Sequence, residues 1–278
     1  MSDILLEKGY GLKMTKIMSI VLLSWNRQHY TKQTLEGIVK NTTIPHELIF
    51  VDNGSVDGTR EYLKSMEKKT NAEKVTYVFN DKNLGVAGGR NSGLVHAKGD
   101  YLVTIDDDVL VPDKWDVHMA RACNKIPQLG ITGVNVEPFK FQAREINGVK
   151  VRPKSGNLGG ACLCLPRRVF KRVGYYNTFG QYGHEDAMMY YRLKHLGLIS
   201  AYIVPKGVHL DIDADKQYRL AKNKAHVRKS PHLMALAQAR AQLTKTGDVY
   251  VPYIEYDPDK DPPSLVKFST ELIMDGRV

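Results

Sequence analysis

Apolar and polar positions alternate along the first hundred residues in blocks rather than singly. Residues 17 to 24 (Ile-Met-Ser-Ile-Val-Leu-Leu-Ser) form a short, β-branched, apolar run without polar alternation, the pattern of a strand buried on both faces, and Trp25-Asn26-Arg27 ends it. Residues 31 to 41 place Leu35, Ile38 and Val39 on one helical stripe, with Thr31 as the expected N-cap. A second strand, 47 to 51, runs into the turn cluster Asp52-Asn53-Gly54-Ser55 and then a helix from about Thr59 to Lys68. A third strand (75 to 80), a glycine-opened helix (85 to 97) and a fourth strand (101 to 105) follow. Strand and helix alternating at this spacing predict an α/β fold, with right-handed crossovers and a mostly parallel sheet covered on both faces. The polar clusters 24 to 27, 52 to 55 and 106 to 108 each follow a strand, so they are expected at the carboxyl edge, where ligands bind in such sheets.

The second half is less regular. Residues 131 to 165 predict strands around a basic insertion, Phe139 to Lys154, in which Asn147-Gly148 is suited to close a hairpin. Residues 185 to 196 predict a helix, and a basic helical stretch follows Asp213. There the apolar periodicity fades, and no internal repeat is visible. No apolar run approaches the roughly 18 residues of a membrane helix. Cys123, Cys162 and Cys164 fit no disulfide framework or C-x-x-C pair. Together these predict packed, reduced thiols in a cytoplasmic protein.

Charge changes the picture because it is regional. The 278 residues carry a formal +10, yet residues 138 to 174 hold nine basic side chains and one acid, Glu145, and residues 216 to 245 hold eight basic side chains and no acid. Each segment is +8, so the remainder of the chain is net acidic. Such segments attract polyanions.

Among candidate chemistry, Asp106-Asp107-Asp108 stands out. Three adjacent carboxylates at a strand end repel one another and call for a cation or for solvent. With an extended backbone, Asp106 and Asp108 share a side and Asp107 points away. The stretch from Asn83 to Asn91 offers glycines for close backbone approach and Arg90 for phosphate.

In order, these motifs resemble the family 2 glycosyltransferases of the GT-A fold. Ser19 to Arg27 is similar to their first strand, and Val51-Asp52-Asn53-Gly54-Ser55-Val56-Asp57-Gly58-Thr59 to their second-strand motif. Asn83-Leu84-Gly85, Gly88-Gly89-Arg90-Asn91 and Ala97-Lys98-Gly99-Asp100-Tyr101 resemble the stretch before their D-x-D motif, and Asp106-Asp107-Asp108-Val109 resembles the motif itself. The resemblance implies a Rossmann-like, mostly parallel sheet over residues 1 to 215, divided into a nucleotide-sugar half (17 to 115) and an acceptor and catalytic half (116 to 215). A basic helical extension and tail, 216 to 278, would follow.

It further implies a metal-dependent, inverting transfer from a nucleotide diphosphate sugar, expected to be a UDP-sugar, to a hydroxyl. Ser24, Asn26, Asp52 and Arg90 would line the nucleotide pocket, with Asp52 at the base. Asp106 would lie at the ribose and sugar side and Gly160 beside the donor sugar. Asp106, Asp108 and His209 form the expected site for Mn²⁺ or Mg²⁺, with Asp108 and His209 its main ligands. Tyr182-Gly183-His184-Glu185-Asp186, with Arg192 beyond it, resembles the E-D motif, making Asp186 the general base and Glu185 its neighbour.

The basic segments, including Arg167, Arg168, Lys171 and Arg172, are expected on the acceptor side. They suit duplex DNA carrying a hydroxymethylated base, as in phage-type genome glycosylation, or the anionic membrane surface met by an enzyme of envelope polysaccharide or glycolipid. A non-catalytic nucleotide-sugar-binding module is disfavoured because Asp106, Asp108, Asp186 and His209 are all present. A nucleotidyltransferase is disfavoured because no G-x-G loop with a downstream lysine follows the first strand.

Overall fold

The computed structural model describes residues 16–137, 141–176 and 185–210. Its first half is the predicted alternation: β1 (Met18–Ser24), α1 (Gln28–Asn41), β2 (His46–Asp52), α2 (Thr59–Ser65), a 3₁₀ turn (Glu67–Lys69), β3 (Lys74–Phe79), α3 (Gly85–Leu94) and β4 (Tyr101–Asp106). Then come β5 (Val109–Leu110), α4 (Trp115–Lys125), β6 (Leu129–Asn135), the hairpin β7 (Arg144–Ile146) and β8 (Val149–Pro153), β9 (Cys162–Pro166) and α5 (Arg167–Val173). The described chain ends through α6 (Glu185–His195), β10 (Ile199–Lys206) and β11 (Val208–His209). The expected 215/216 boundary, the basic helix and the tail lie outside the described residues, as do Phe139 and Tyr182-Gly183-His184.

Nine strands form one sheet in the order β3-β2-β1-β4-β9-β6-β10-β8-β7. The first four are mutually parallel and β9 runs against its neighbours β4 and β6. β1 explains its own composition: Met18, Ile20 and Leu22 pack with Leu35, Ile38 and Phe50 on one face, and Val21 and Leu23 with Val51, Ala87 and Leu94 on the other. With both faces buried, polar alternation would place side chains in the core without water. All three cysteines are buried and free. No described helix is long and apolar enough to cross a membrane.

Three local expectations are corrected. Thr31 does not cap α1: the helix starts at Gln28, and Thr31 Oγ1 donates back to the Arg27 carbonyl at 3.1 Å. The α3 glycines, expected to serve ligand approach, serve packing as well. A Cβ on Gly89 would lie 2.5 Å from Leu23 Cδ1, and one on Gly93, just beyond the stretch from Asn83 to Asn91, 2.4 Å from Val21 Cγ1 and 2.7 Å from Val51 Cγ2, so glycine lets the helix sit this close to the sheet. The third concerns α5. β9 begins at Cys162 beside Ile105, at the carboxyl edge, and ends at Pro166 beside Tyr101. Arg167 therefore bonds the Gly99 and Ala97 carbonyls, and Arg168 those of Cys123 and Leu129, at the edge opposite the acidic triplet. The hairpin matched expectation, with Asn147 (φ 51°) and Gly148 (φ 72°) both left-handed as a tight two-residue turn requires.

Candidate active site

The ladder register brings the polar strand ends together. Ser24 is level with Asp52, and Leu23 with Asp106. Ser24 is buried, and its Oγ has no hydrogen-bond partner among the described residues. Asn26, at φ 51°, braces the neighbouring loop: its N–H donates to Ser55 Oγ at 2.9 Å, and its Oδ1 accepts from Val56 N at 2.7 Å. The Asp52 carboxylate is closed off, accepting from Arg60 Nε at 2.9 Å and Ser55 N at 3.2 Å. Arg60 rather than Asp52 is thus the more exposed member of that pair.

Asn53, part of the predicted turn cluster, is buried, and its side chain makes four bonds. Its Nδ2 donates to Asn83 Oδ1 and the Gly85 carbonyl, and its Oδ1 accepts from Asn80 Nδ2 and Leu84 N. It ties the end of β2 to the loop that opens α3.

The acidic triplet is not extended. The chain turns at Asp107-Asp108 between β4 and β5, so the expected sharing of one side by Asp106 and Asp108 gives way to a division between two arginines. Arg27 Nη2 donates to Asp107 Oδ1 and, at 2.9 Å, to Asp108 Oδ2. Trp25 N–H adds a bond to Asp107 Oδ2, and the Asp107 carbonyl accepts from Thr34 Oγ1. Burial pushes the Asp107 carboxyl up to about 7 against the pull of Arg27, with the Asp108 charge adding to the rise.

Asp106 instead meets Arg90. That guanidinium, 1% exposed, donates through Nη2 to Asp106 Oδ1 at 2.7 Å and to the Gly160 carbonyl at 2.8 Å, and through Nη1 to Glu185 Oε1 at 3.4 Å. The expected phosphate ligand is therefore enclosed by protein acceptors. Burial works against its charge, but Asp106 and Glu185 outweigh it and hold the arginine firmly protonated. Burial raises both acids, and Arg90 opposes the rise in each. A Cβ on Gly160 would stand 3.0 Å from Arg90 Nη2, so the segment bearing it lies directly on the guanidinium.

β11 pairs antiparallel with β5, aligning His209 with Val109, and Leu210 N–H donates to the Asp108 carbonyl. His209 Nε2 comes within 3.7 Å of Asp108 Oδ2. Asp108 Oδ1 and His209 Nδ1 are buried without hydrogen-bond partners among the described residues. An orphaned carboxylate oxygen beside an imidazole suits a divalent cation of the Mn²⁺ or Mg²⁺ kind, the remaining positions falling to ligand oxygens and water. Among the described residues no three His, Cys, Asp or Glu side chains are already gathered as a metal cluster. Asp186, in the first turn of α6, accepts from Asn157 Nδ2 at 2.8 Å. Arg192 donates to the Val173 and Tyr175 carbonyls and so anchors the same helix.

The fold has solved counterparts. A mannosyltransferase of Pyrobaculum calidifontis in complex with GDP-Man and Mn²⁺ superposes with a TM-score of 0.60 at 18% identity, covering 96% of this chain and 74% of that one. GalNAc-T7 with UDP, GalNAc and Mn²⁺ gives 0.59 at 18% identity, covering 70% of this chain and 43% of that one. The architecture is accordingly that of the GT-A glycosyltransferases.

Residues 19–161 match the family described as glycosyl transferase family 2, and the chain belongs to that family. It is 33% identical over 99 residues to a putative teichuronic acid biosynthesis glycosyltransferase of Bacillus subtilis, covering 36% of this chain and 37% of that protein. It is 31% identical over 104 residues to a putative colanic acid biosynthesis glycosyl transferase of Escherichia coli, covering 37% and 35%. The match thus spans little more than a third of these relatives' length.

Proposed function

We propose that the protein transfers a sugar from a nucleotide diphosphate sugar to a hydroxyl with inversion at the anomeric carbon. The observation that carries this reading is the Arg90 guanidinium, which touches Asp106 on the donor side and Glu185 at the head of α6 and so joins the two motifs into one cluster. In the proposed step the acceptor oxygen bonds to the anomeric carbon as the bond from that carbon to the diphosphate oxygen breaks. Asp186 takes the acceptor's proton, and Glu185 stays bound to Arg90 as its neighbour. Ser24, Asn26 and Asp52 belong to the edge that receives the nucleotide, with Asp106 and Gly160 next to the sugar. Asp108 and His209 would hold Mn²⁺ or Mg²⁺. Such a cation, when bound, neutralises the departing diphosphate.

The acceptor we favour is a carbohydrate hydroxyl, because the named relatives are assigned to teichuronic and colanic acid biosynthesis. Duplex DNA is the second reading. It rests on the acid-free segment 216 to 245, just after His209, since α5 lies at the far edge. A panel of UDP- and GDP-sugars, each offered glycan acceptors and duplex DNA with hydroxymethylated bases and read by mass spectrometry, tests both. A mass increment on DNA alone would overturn the glycan reading, and no metal-dependent release of nucleoside diphosphate from any donor would overturn transfer.

A further inference from the structure

Between β8 and β9 the chain makes four contacts within five residues. Asn157 Nδ2 donates to Asp186 Oδ2 at 2.8 Å, and Gly159 N–H donates to the Tyr202 hydroxyl at 2.7 Å. The Gly160 carbonyl accepts from Arg90, and the Ala161 carbonyl accepts from Asp106 N–H at 2.9 Å. Tyr202, buried on β10, donates in turn to Glu137 Oε1 at 2.7 Å, and Lys154 Nζ donates to the same oxygen at 2.9 Å. A Cβ on Gly159 would fall 2.9 Å from Glu137 Oε1, so the backbone lies directly against this carboxylate.

A tyrosine hydroxyl can accept one hydrogen bond while donating another, and this one does both. The network ends on the carboxylate to which the proposed function gives the acceptor's proton. The Asp186 side chain has one acceptor oxygen turned to its own helix, through Ala187 N–H, and the other to Asn157. We infer that Asn157 is a positioning residue for Asp186, and that Tyr202, braced by Glu137 and Lys154, fixes the backbone on which Asn157 stands. This inference rests on the reading of Asp186 as base. It adds that the base is aimed from outside its own helix, by the β8–β9 connection that also carries the Arg90 contact.

The test uses the full chain and the variants Tyr202→Phe, Asn157→Ala, Asp186→Asn and Asn157→Ala with Asp186→Asn. Backbone hydrogen exchange over residues 157 to 161 needs no turnover. Tyr202→Phe should speed it about tenfold, since a half-buried N–H loses its acceptor. Unchanged exchange would overturn the tether. Nucleoside diphosphate release is then measured with UDP-glucose, UDP-N-acetylglucosamine and GDP-mannose as donors, water as acceptor and Mn²⁺ present. Asn157→Ala and Tyr202→Phe should each lower kcat about 10- to 100-fold, with donor KM held within about twofold, as expected of a misaimed base. Asn157→Ala should cost nothing further in the Asp186→Asn background. An equal loss in that background, or full activity of Asn157→Ala beside an inactive Asp186→Asn, would overturn the positioning role alone. Full activity of Asp186→Asn would overturn the reading of Asp186 itself and the inference with it.

Discussion

Arg90 and Glu185, ninety-five positions apart in sequence, meet at 3.4 Å inside the protein, with Asp106 on the same guanidinium at 2.7 Å. The contact is what makes one site out of two motifs. Removing the arginine leaves a buried Glu185 and a partly exposed Asp106 without their shared counter-charge. Breaking a buried pair from one side costs about 3–5 kcal/mol. Arg90→Met is expected to lower unfolding free energy by that order in urea titrations. Arg90→Lys should recover only part of the loss, because an ammonium cannot span Asp106, Gly160 O and Glu185 as a planar fork does.

Asp108 and His209 are predicted to act together. Asp108→Ala should lower metal-dependent nucleoside diphosphate release by about a hundredfold or more, since several kcal/mol of charge stabilisation go with the ion. His209→Ala should instead raise the Mn²⁺ concentration for half-maximal activity by about tenfold. A manganese titration on both variants checks this. Equal activity of Asp108→Ala with and without metal-free buffer exchange, at the unmodified protein's rate, would count against it.

Gly93 gives a prediction whose sign turns on magnitudes. Alanine is better than glycine in a helix by about 1 kcal/mol. The new Cβ, however, would sit 2.4 Å from Val21 and 2.7 Å from Val51, both in the core, and overpacking of that kind costs about 1–3 kcal/mol. Gly93→Ala is therefore expected to lower Tm, and a rise in Tm would show that α3 can lift off the sheet cheaply.

Glu137 supplies a pH dependence. Burial raises its pKa, but the bonds from Lys154 and Tyr202 outweigh burial and hold the carboxyl below its ordinary 4.5. A carboxyl depressed in the folded state contributes stability above its unfolded pKa, and that stability is lost as pH falls through the folded value. Thermal melts from pH 6 to pH 3 should show the native protein losing an increment below about 4.5 that Glu137→Gln does not lose. Parallel curves would contradict the bond network around Tyr202.

The first half of the described chain was legible in the sequence because its signals are local. β-branched runs marked the strands, and parallel topology then sent Ser24, Asp52 and Asp106 to one edge without knowledge of any contact. What could not be read was how the charges are distributed once there. Nothing in the run Asp106-Asp107-Asp108 says that the chain turns at its second residue, or that Arg27 and Arg90 divide the triplet between them. Arg27 stood beside a polar strand end, which was a usable hint. Arg60, Tyr202 and Glu137 gave none, since each earns its place from a partner distant in the chain or on a neighbouring turn. The basic run from Arg167 misled for a related reason: charge is visible in sequence, but which end of a strand it occupies is decided by the antiparallel direction of β9.

Arg27 also bears on the order of events in the molecule's life. Because its guanidinium already answers both Asp107 and Asp108, the acidic turn has a resident counter-charge from the moment the chain folds. On the proposed reading, a divalent ion at Asp108 would join a counter-charge already in place rather than complete the fold. That would separate the protein from small metallo-domains that collapse when stripped. A chelator should silence it while leaving it intact, ready to be recharged.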